Sequence, residues 1–194
     1  VSSIHVFPEN DPDTLVRASR DPAEIAAILR EVGVRFEAWE ASFSFTPSAP
    51  AEEILAAYRE PIEKLCREGG YPSVDVARLA PDPNDPAWPA KARAAREKFL
   101  EEHTHGEDEV RFFVHGAGVF YLRLAGQVLA VRCARGDLLS VPAGTRHWFD
   151  MGTQPDFSAI RFFGTPEGWV ASFTGDAIAR RFPDADALTR GAPW

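Results

Sequence analysis

Glu102-His103-Thr104-His105-Gly106-Glu107-Asp108-Glu109-Val110-Arg111-Phe112-Phe113 is the stretch on which the reading of the whole chain turns. It holds two of the five histidines, one residue apart, and a glutamate follows the second at four residues. From Glu109 onward the chain breaks into short alternating runs. Strands are expected over Glu109–Val114, Val119–Leu124, Val128–Cys133, Leu138–Val141, His147–Asp150 and Ser158–Phe163, with turns at Ala117-Gly118, Ala125-Gly126 and Arg135-Gly136-Asp137. Short strands at this regular spacing point to an antiparallel sandwich or barrel. Side chains alternate along a strand, so His103 and His105 can share a side. Glu109, Arg111 and Phe113 share one side of the next strand, and Val110, Phe112 and Val114 the other. Both sides are partly apolar, as in a strand buried between layers.

A carboxylate and a guanidinium on an inward face are costly without partners. A divalent metal is the expected partner of Glu109, and an anionic ligand that of Arg111. His103, His105, Glu109 and, brought in by the fold, His147 form a mixed nitrogen and oxygen donor set. Such a set suits iron, nickel, manganese or zinc better than soft copper or hard calcium. With octahedral geometry, two positions stay open for a bidentate substrate. A closed structural zinc site normally has cysteine ligands, and no cysteine cluster exists here. Without a metal, these closely spaced groups would be unpaired polar side chains in apolar strands.

At 194 residues the chain fits one domain, with residues 1–98 as an N-terminal extension, 99–170 as the β core and 171–194 as a tail. A hydrophobic content of 45% is that of a globular protein. The net charge of −8 argues against broad nucleic-acid binding and against docking on anionic lipid. Cys66 and Cys133 form no CxxC and are expected as reduced thiols. Val1–Phe7 does not read as a signal peptide, and no apolar run is long enough to span a bilayer. A soluble cytoplasmic protein is the expectation.

The first half reads as mixed helix and strand. Ser3–Phe7 is a short strand. Asp21 is a good N-cap, with Pro22 at the first helical position and Glu24 where a capping box needs it. Ile25, Ile28, Leu29 and Val32 recur at helical spacing, and Gly33 can close the helix. Val34–Ser42 follows as a half-buried strand, and 43–48 as a connection. A helical region from about Pro50 to Glu68 should kink or split at Pro61, and Gly69-Gly70 stop it. Val74, Val76 and Leu79 suggest a strand, 80–86 a loop, and Pro89–Leu100 a helix leading to the histidines. His5, Trp39 and Trp88 read as packing or surface residues.

The paired histidines and their surroundings resemble the two motifs of the cupin superfamily. His103, His105, Glu109 and Gly116 match the first, and Gly136, Pro142, Gly144 and His147 the second. Glu97 stands where the first motif has a glycine, and Met151 where the second has an asparagine. The resemblance implies a mainly β fold with flanking helices: a double-stranded β-helix, or jelly-roll barrel, with an N-terminal α/β extension. Within the cupins, the chain is similar to the acireductone dioxygenase family over most of its length. The marks are Phe-Leu-Glu-Glu-His-Thr-His (99–105), Asp-Glu-Val-Arg-Phe (108–112), Val-Pro-Ala-Gly-Thr-Arg-His-Trp-Phe-Asp (141–150), and Ile-Arg-Phe-Phe (160–163) leading to Gly168-Trp169.

That resemblance implies the O₂-dependent cleavage of 1,2-dihydroxy-5-(methylthio)pent-1-en-3-one in methionine salvage. With Fe²⁺ the products are 2-oxo-4-methylthiobutanoate and formate; with Ni²⁺ they are methylthiopropionate, formate and carbon monoxide. It implies one Fe²⁺ or Ni²⁺ per chain and a monomer. An ene-diol chelates well once deprotonated, and Arg111 is placed to stabilise the dianion by charge-assisted hydrogen bonds. Phe99, Phe149 and Trp169 resemble the wall around the methylthio tail; ordinary core packing is the alternative. Glu102 and Asp108 match positions linked to metal incorporation and to relaying conformational change, although each reads physically as a solvated surface carboxylate. His115 is expected to be a non-ligand. Competing readings are another cupin enzyme, such as a manganese decarboxylase, a different iron dioxygenase or a zinc sugar isomerase, or a non-catalytic binding cupin.

Overall fold

The computed structural model describes residues 1–46, 49–165 and 168–190. Pro47 and Ser48 of the expected connection, and the end of the tail, lie outside the described residues. Strand β1 (Ser3–Pro8) is followed by β2 (Arg17–Ser19), an antiparallel partner that the sequence reading does not include. Helix α1 (Pro22–Glu31) starts as expected, with the Asp21 carboxylate accepting the Ala23 N–H at 2.8 Å. The capping box is closed by a relay. The Asp21 N–H donates to Ser19 Oγ (3.1 Å), and that hydroxyl donates to Glu24 (2.7 Å).

Strand β3 (Arg35–Ala38) is shorter than the expected 34–42. Its partner ladder ends at Ala38 opposite Asp137, and the next backbone bond, from the Trp39 N–H to Gly136 O (2.7 Å), falls in a turn and closes the pairing. Helices α2 (Ala51–Ala57) and α3 (Arg59–Gly69) divide at Tyr58, ahead of Pro61. Pro61 lies in the first turn of α3, where a missing N–H leaves no intrahelical bond unmade. Gly70 ends α3 at φ 69°. Strand β4 (Ser73–Leu79) and helix α4 (Trp88–Phe99) follow where expected, on either side of the 80–86 loop.

The remaining strands are β5 (His103–Thr104), β6 (Glu109–Leu124), β7 (Gln127–Ala134), β8 (Asp137–Val141), β9 (Arg146–Asp150), β10 (Phe157–Phe163) and β11 (Ser172–Phe173). A 3-10 turn, Ile178–Arg181, and helix α5 (Ala185–Arg190) close the described chain. The expected turn at Ala117-Gly118 does not form, and β6 runs through it as one long strand. Its first half pairs with β8 and β10, its second half with β7 and β9, all antiparallel. One sheet therefore runs β3-β8-β6-β10-β4 and the other β11-β5-β9-β6-β7-β1-β2. The strand bends where it changes sheets. Gly116 sits at φ 64°, and the β6–β10 register shifts opposite Ser158/Ala159. Such a bulge turns a chain without ending it, which is why glycine-based punctuation misreads this point.

A Cβ at Gly116 would collide with the Asp156 carbonyl oxygen in a backbone region that side chains avoid. Gly116→Ala is expected to destabilise the protein by about 2–3 kcal/mol in denaturant unfolding.

Three apolar layers follow from the two sheets. Ile4, Val6, Phe113, Phe120, Leu122 and Phe149 fill the space between them, with Ile25, Ile28 and Leu29 of α1. Val110, Phe112, Val114, Ile160 and Phe162 face Ile54, Ile62 and Leu65 of α2 and α3. Val119, Tyr121 and Trp148 pack under Phe7, Ile178 and Phe182. Strand β6 is thus buried on both faces, as its composition implies. Cys66 and Cys133 are free thiols. Among the described residues, no helix is long and apolar enough to cross a membrane.

Buried Asp150 ties the helices to the strand that carries His147. Arg96 of α4 donates to its two oxygens at 2.6 and 2.9 Å, and the N–H groups of Gly152 and Ala185 donate to it at 2.9 Å each. Burial pushes the Asp150 carboxyl up, but Arg96 and the two backbone donors outweigh it and the net shift is downward. The stabilisation is therefore present above the ordinary carboxylate range and is lost as pH falls through the lowered folded value. Asp150→Asn should cost about 2–4 kcal/mol at neutral pH, with the gap to wild type closing below about pH 4 in acid-unfolding experiments.

Candidate metal centre

His103 on β5, His105 just after it, Glu109 at the start of β6 and His147 on β9 converge. One ligand atom from each lies within 4.8 Å of all the others, and all four residues are buried. The fold brings His147 in by placing it directly opposite His103 in the β5–β9 pair.

Each imidazole is held from behind by a backbone carbonyl. The Nδ1–H of His103 donates to Glu101 O (2.8 Å), that of His105 to Val170 O (3.0 Å) and that of His147 to Thr145 O (2.8 Å). A carbonyl can only accept, so Nδ1 carries the hydrogen and Nε2 keeps its lone pair. His147 Nε2 then lies 2.8 Å, and His105 Nε2 3.3 Å, from the same Glu109 oxygen, Oε2. Acceptors meeting at such distances call for a cation among them, and three imidazole nitrogens with one carboxylate oxygen are a donor set for a divalent transition metal. The electrostatics differ from one imidazole to the next. Burial, helped by His147 and His105, pushes His103 down to about 4, so it is a neutral ligand at physiological pH. Burial also pushes His105 down, but the Glu109 hydrogen bond and charge reverse this and raise it. Burial pushes the Glu109 carboxyl up; Arg111, His105 and His147 together hold it well below the usual range.

Arg111 already has a protein partner, which corrects the expectation that an anionic ligand supplies it. Its Nε and Nη2 both lie 2.7 Å from Glu109 Oε1, the oxygen that faces away from the imidazoles. One carboxylate therefore joins the metal group to the guanidinium. The guanidinium carbon also lies 5.3, 5.0 and 5.1 Å from the ring centres of Phe120, Phe149 and Trp169. Burial lowers the Arg111 pKa and Glu109 opposes that shift.

These residues open on a cavity of about 590 Å³, lined by His103, Glu109, Arg111, Phe99, Phe149 and Trp169 among others. Its volume suits a small organic ligand. A second cavity of similar volume, lined by Arg20, Arg132 and Asp186, contains none of the four converging residues, so chemistry rather than size selects the first. Trp169 is half-buried; its Nε1–H donates to Asp108 O (3.1 Å), and its ring lies 6.0 Å from that of His105 and 4.7 Å from that of Phe163. Phe149 reaches the cavity over Gly118, where a methyl group would collide with its ring.

The two auxiliary carboxylates part company. Glu102 is not a solvated surface group. It is buried, receives Arg123 Nη1 at 3.1 Å and the Thr174 hydroxyl at 2.6 Å, and so clamps the strand carrying His103 to the C-terminal segment. Arg123 supplies the compensating charge, and a run of isolated carboxylates in the sequence gives no sign of it. Asp108 is exposed and accepts the Ala143 N–H at 2.9 Å, holding the turn before His147. His115 is exposed and paired with Asp156 at 3.1 Å, outside the four-residue group. Sequence reasoning missed Asp75, Lys98, Arg161, Phe163 and Phe173, which also line the cavity. For Arg161 a signal existed: it is the lone charge in the apolar run 159–163, the same feature that singled out Arg111.

Comparison with known proteins identifies the family. Residues 3–171 match the model of the ARD/ARD′ family. The chain is 50% identical over 185 residues to acireductone dioxygenase 1 of Nocardia farcinica, covering 95% of this chain and 97% of that protein. It is 54% identical over 183 residues to the acireductone dioxygenase of Parvibaculum lavamentivorans, covering 94% and 96%. The solved structure of the acireductone dioxygenase from Bacillus anthracis, with a cadmium ion in its active centre, superposes with a TM-score of 0.75 at 30% identity, covering 89% of this chain and 98% of that one. With a cupin-type pair of antiparallel sheets, a buried three-histidine, one-glutamate group and relatives matched along nearly their whole length, the chain belongs to the ARD/ARD′ family, the acireductone dioxygenases.

Proposed function

We propose that the chain cleaves 1,2-dihydroxy-5-(methylthio)pent-1-en-3-one with O₂, using Fe²⁺ or Ni²⁺ held by His103, His105, Glu109 and His147. The observation that carries this reading is the Glu109 carboxylate, with one oxygen against two imidazoles and the other against Arg111, at the wall of a cavity. With Fe²⁺ the products are 2-oxo-4-methylthiobutanoate and formate; with Ni²⁺, methylthiopropionate, formate and carbon monoxide. The metal supplies Lewis-acid polarisation and a template for an ene-diolate. Arg111 is the catalytic cation: fixed by Glu109 and three rings, it binds and stabilises the dianionic form of the substrate. Phe99, Phe149 and Trp169 enclose the methylthio tail and exclude water. Glu102 and Asp108 act as positioning groups through the strand and turn they hold. The enzyme acts as a cytoplasmic monomer in methionine salvage, one cupin domain with residues 1–98 as its N-terminal extension.

Anaerobic reconstitution with each metal, followed by addition of the acireductone and O₂, tests the reading. O₂ uptake with keto acid from the iron form and carbon monoxide from the nickel form is expected; no O₂ uptake by either overturns it. Trp169→Ala should raise KM about 5- to 30-fold with a smaller effect on kcat, as loss of one aromatic wall implies. Steady-state O₂ uptake measures both.

A further inference from the structure

Asp75, Arg161 and Arg111 stand in one row across three neighbouring strands. Arg161 is in register with Asp75 on β4 and with Arg111 on β6. Residues directly opposite in an antiparallel pair present their side chains to the same face, and all three line the cavity. Arg161 forks onto Asp75, with Nε 2.8 Å from Oδ1 and Nη2 2.6 Å from Oδ2. Arg111 is likewise engaged with Glu109. The wall thus reads carboxylate, guanidinium, guanidinium, carboxylate, and the Trp169 ring centre lies 5.6 and 5.1 Å from the two guanidinium carbons.

The two pairs differ in solvation. The Glu109 and Arg111 side chains are 2% and 7% exposed, whereas those of Asp75 and Arg161 are 46% and 29% exposed. The inner pair includes Glu109, one of the four converging residues, and the outer pair is the more exposed to solvent. Neighbouring strands are about 4.8 Å apart, so β4 lies about 10 Å across the sheet from β6. A substrate whose ene-diol end meets the inner pair can place its tail against the Trp169 ring, within reach of the outer one.

We propose that Asp75 is a specificity-determining residue: by occupying the Arg161 fork, it makes the cavity select an ene-diol with an uncharged tail over one whose tail ends in a carboxylate. The ene-diol end of this proposal rests on the acireductone reading above. An unoccupied guanidinium in this wall would be a bidentate carboxylate receptor. Asp75 fills that fork, so an anionic tail must either displace it or lie beside a like charge, and specificity arises from that repulsion. Lys98 also reaches the cavity, with its ammonium 5.5 Å from the Phe99 ring centre, but as a point charge it lacks the planar fork.

The test uses the metal-loaded full chain and two acireductones, one with the methylthioethyl tail and one with a carboxyethyl tail. Anaerobic binding is followed by tryptophan fluorescence, and kcat/KM by O₂ uptake. In Asp75→Asn the preference for the carboxylate tail over the neutral tail should rise about tenfold, the scale of one part-exposed charge pair. It should return toward the wild-type value in Asp75→Asn/Arg161→Gln, and Asp75→Glu should keep the wild-type preference. A ratio unchanged in Asp75→Asn, or raised equally in the double variant, overturns the proposal. If the wild type binds both compounds without consuming O₂, the assigned reaction fails, while the binding ratios still decide the role of Asp75. Binding of neither compound overturns both.

Discussion

Glu109→Gln is expected to lose metal and activity together, with affinity for Fe²⁺ or Ni²⁺ falling more than about 100-fold. The substitution keeps size and shape, so the loss isolates charge and lone pairs. Glu109 is the sole anionic member of the four-residue group. Its Oε2 faces two Nε2 atoms whose hydrogens are committed elsewhere, on Nδ1, and its Oε1 carries Arg111. An amide supplies one oxygen and one NH₂. With the oxygen toward Arg111, the NH₂ points at the imidazole lone pairs and satisfies them as a donor, closing the site to a cation. With the oxygen toward the imidazoles, the NH₂ opposes a guanidinium and leaves Arg111 without an acceptor as well. Either arrangement leaves the buried Arg111 charge uncompensated and costs about 3–5 kcal/mol of stability in the metal-free protein. Metal analysis after dialysis, O₂ uptake and denaturant unfolding measure the three consequences.

Arg111→Met should carry the second large effect. Methionine retains bulk beneath Phe120, Phe149 and Trp169 but removes the cation. Turnover should fall by about 10²–10³, the scale of one preorganised donor to a developing or bound oxyanion. The link to Glu109 adds a consequence that the sequence did not suggest. Without its guanidinium, Glu109 loses what orients its second oxygen, so metal affinity should fall about 10- to 100-fold as well. Saturating metal therefore restores occupancy but not turnover. Arg111→Lys should recover only part of the rate, because an ammonium cannot engage Glu109 and a substrate oxygen in one plane. Full recovery of kcat on metal saturation of Arg111→Met would remove Arg111 from the chemistry and leave it a support for Glu109.

The four converging residues were legible because they are polar groups at fixed spacing in apolar strands, a combination that packing alone does not explain. The alternation of β6 was equally legible, since Glu109, Arg111 and Phe113 do face the interior and Val110, Phe112 and Val114 the helices. What could not be read was long-range pairing. The passage of β6 from one sheet to the other depends on the register shift opposite Ser158/Ala159, and β2 exists only because β1 offers it an edge. Glu102 looked like a surface carboxylate because Arg123 and Thr174, which make its burial tolerable, are remote in sequence. The supporting carbonyls of Glu101, Val170 and Thr145 are backbone groups that any residue could supply, so no side-chain pattern marks them.

X-ray absorption on the nickel-reconstituted protein tests the central claim most directly. One nickel per chain with about three imidazole donors, the remaining ligands oxygen and no sulfur, is the predicted spectrum, and the signal should be lost in Glu109→Gln. A sulfur-containing shell, or the same spectrum in Glu109→Gln, would contradict the assignment of His103, His105, Glu109 and His147 as the metal centre.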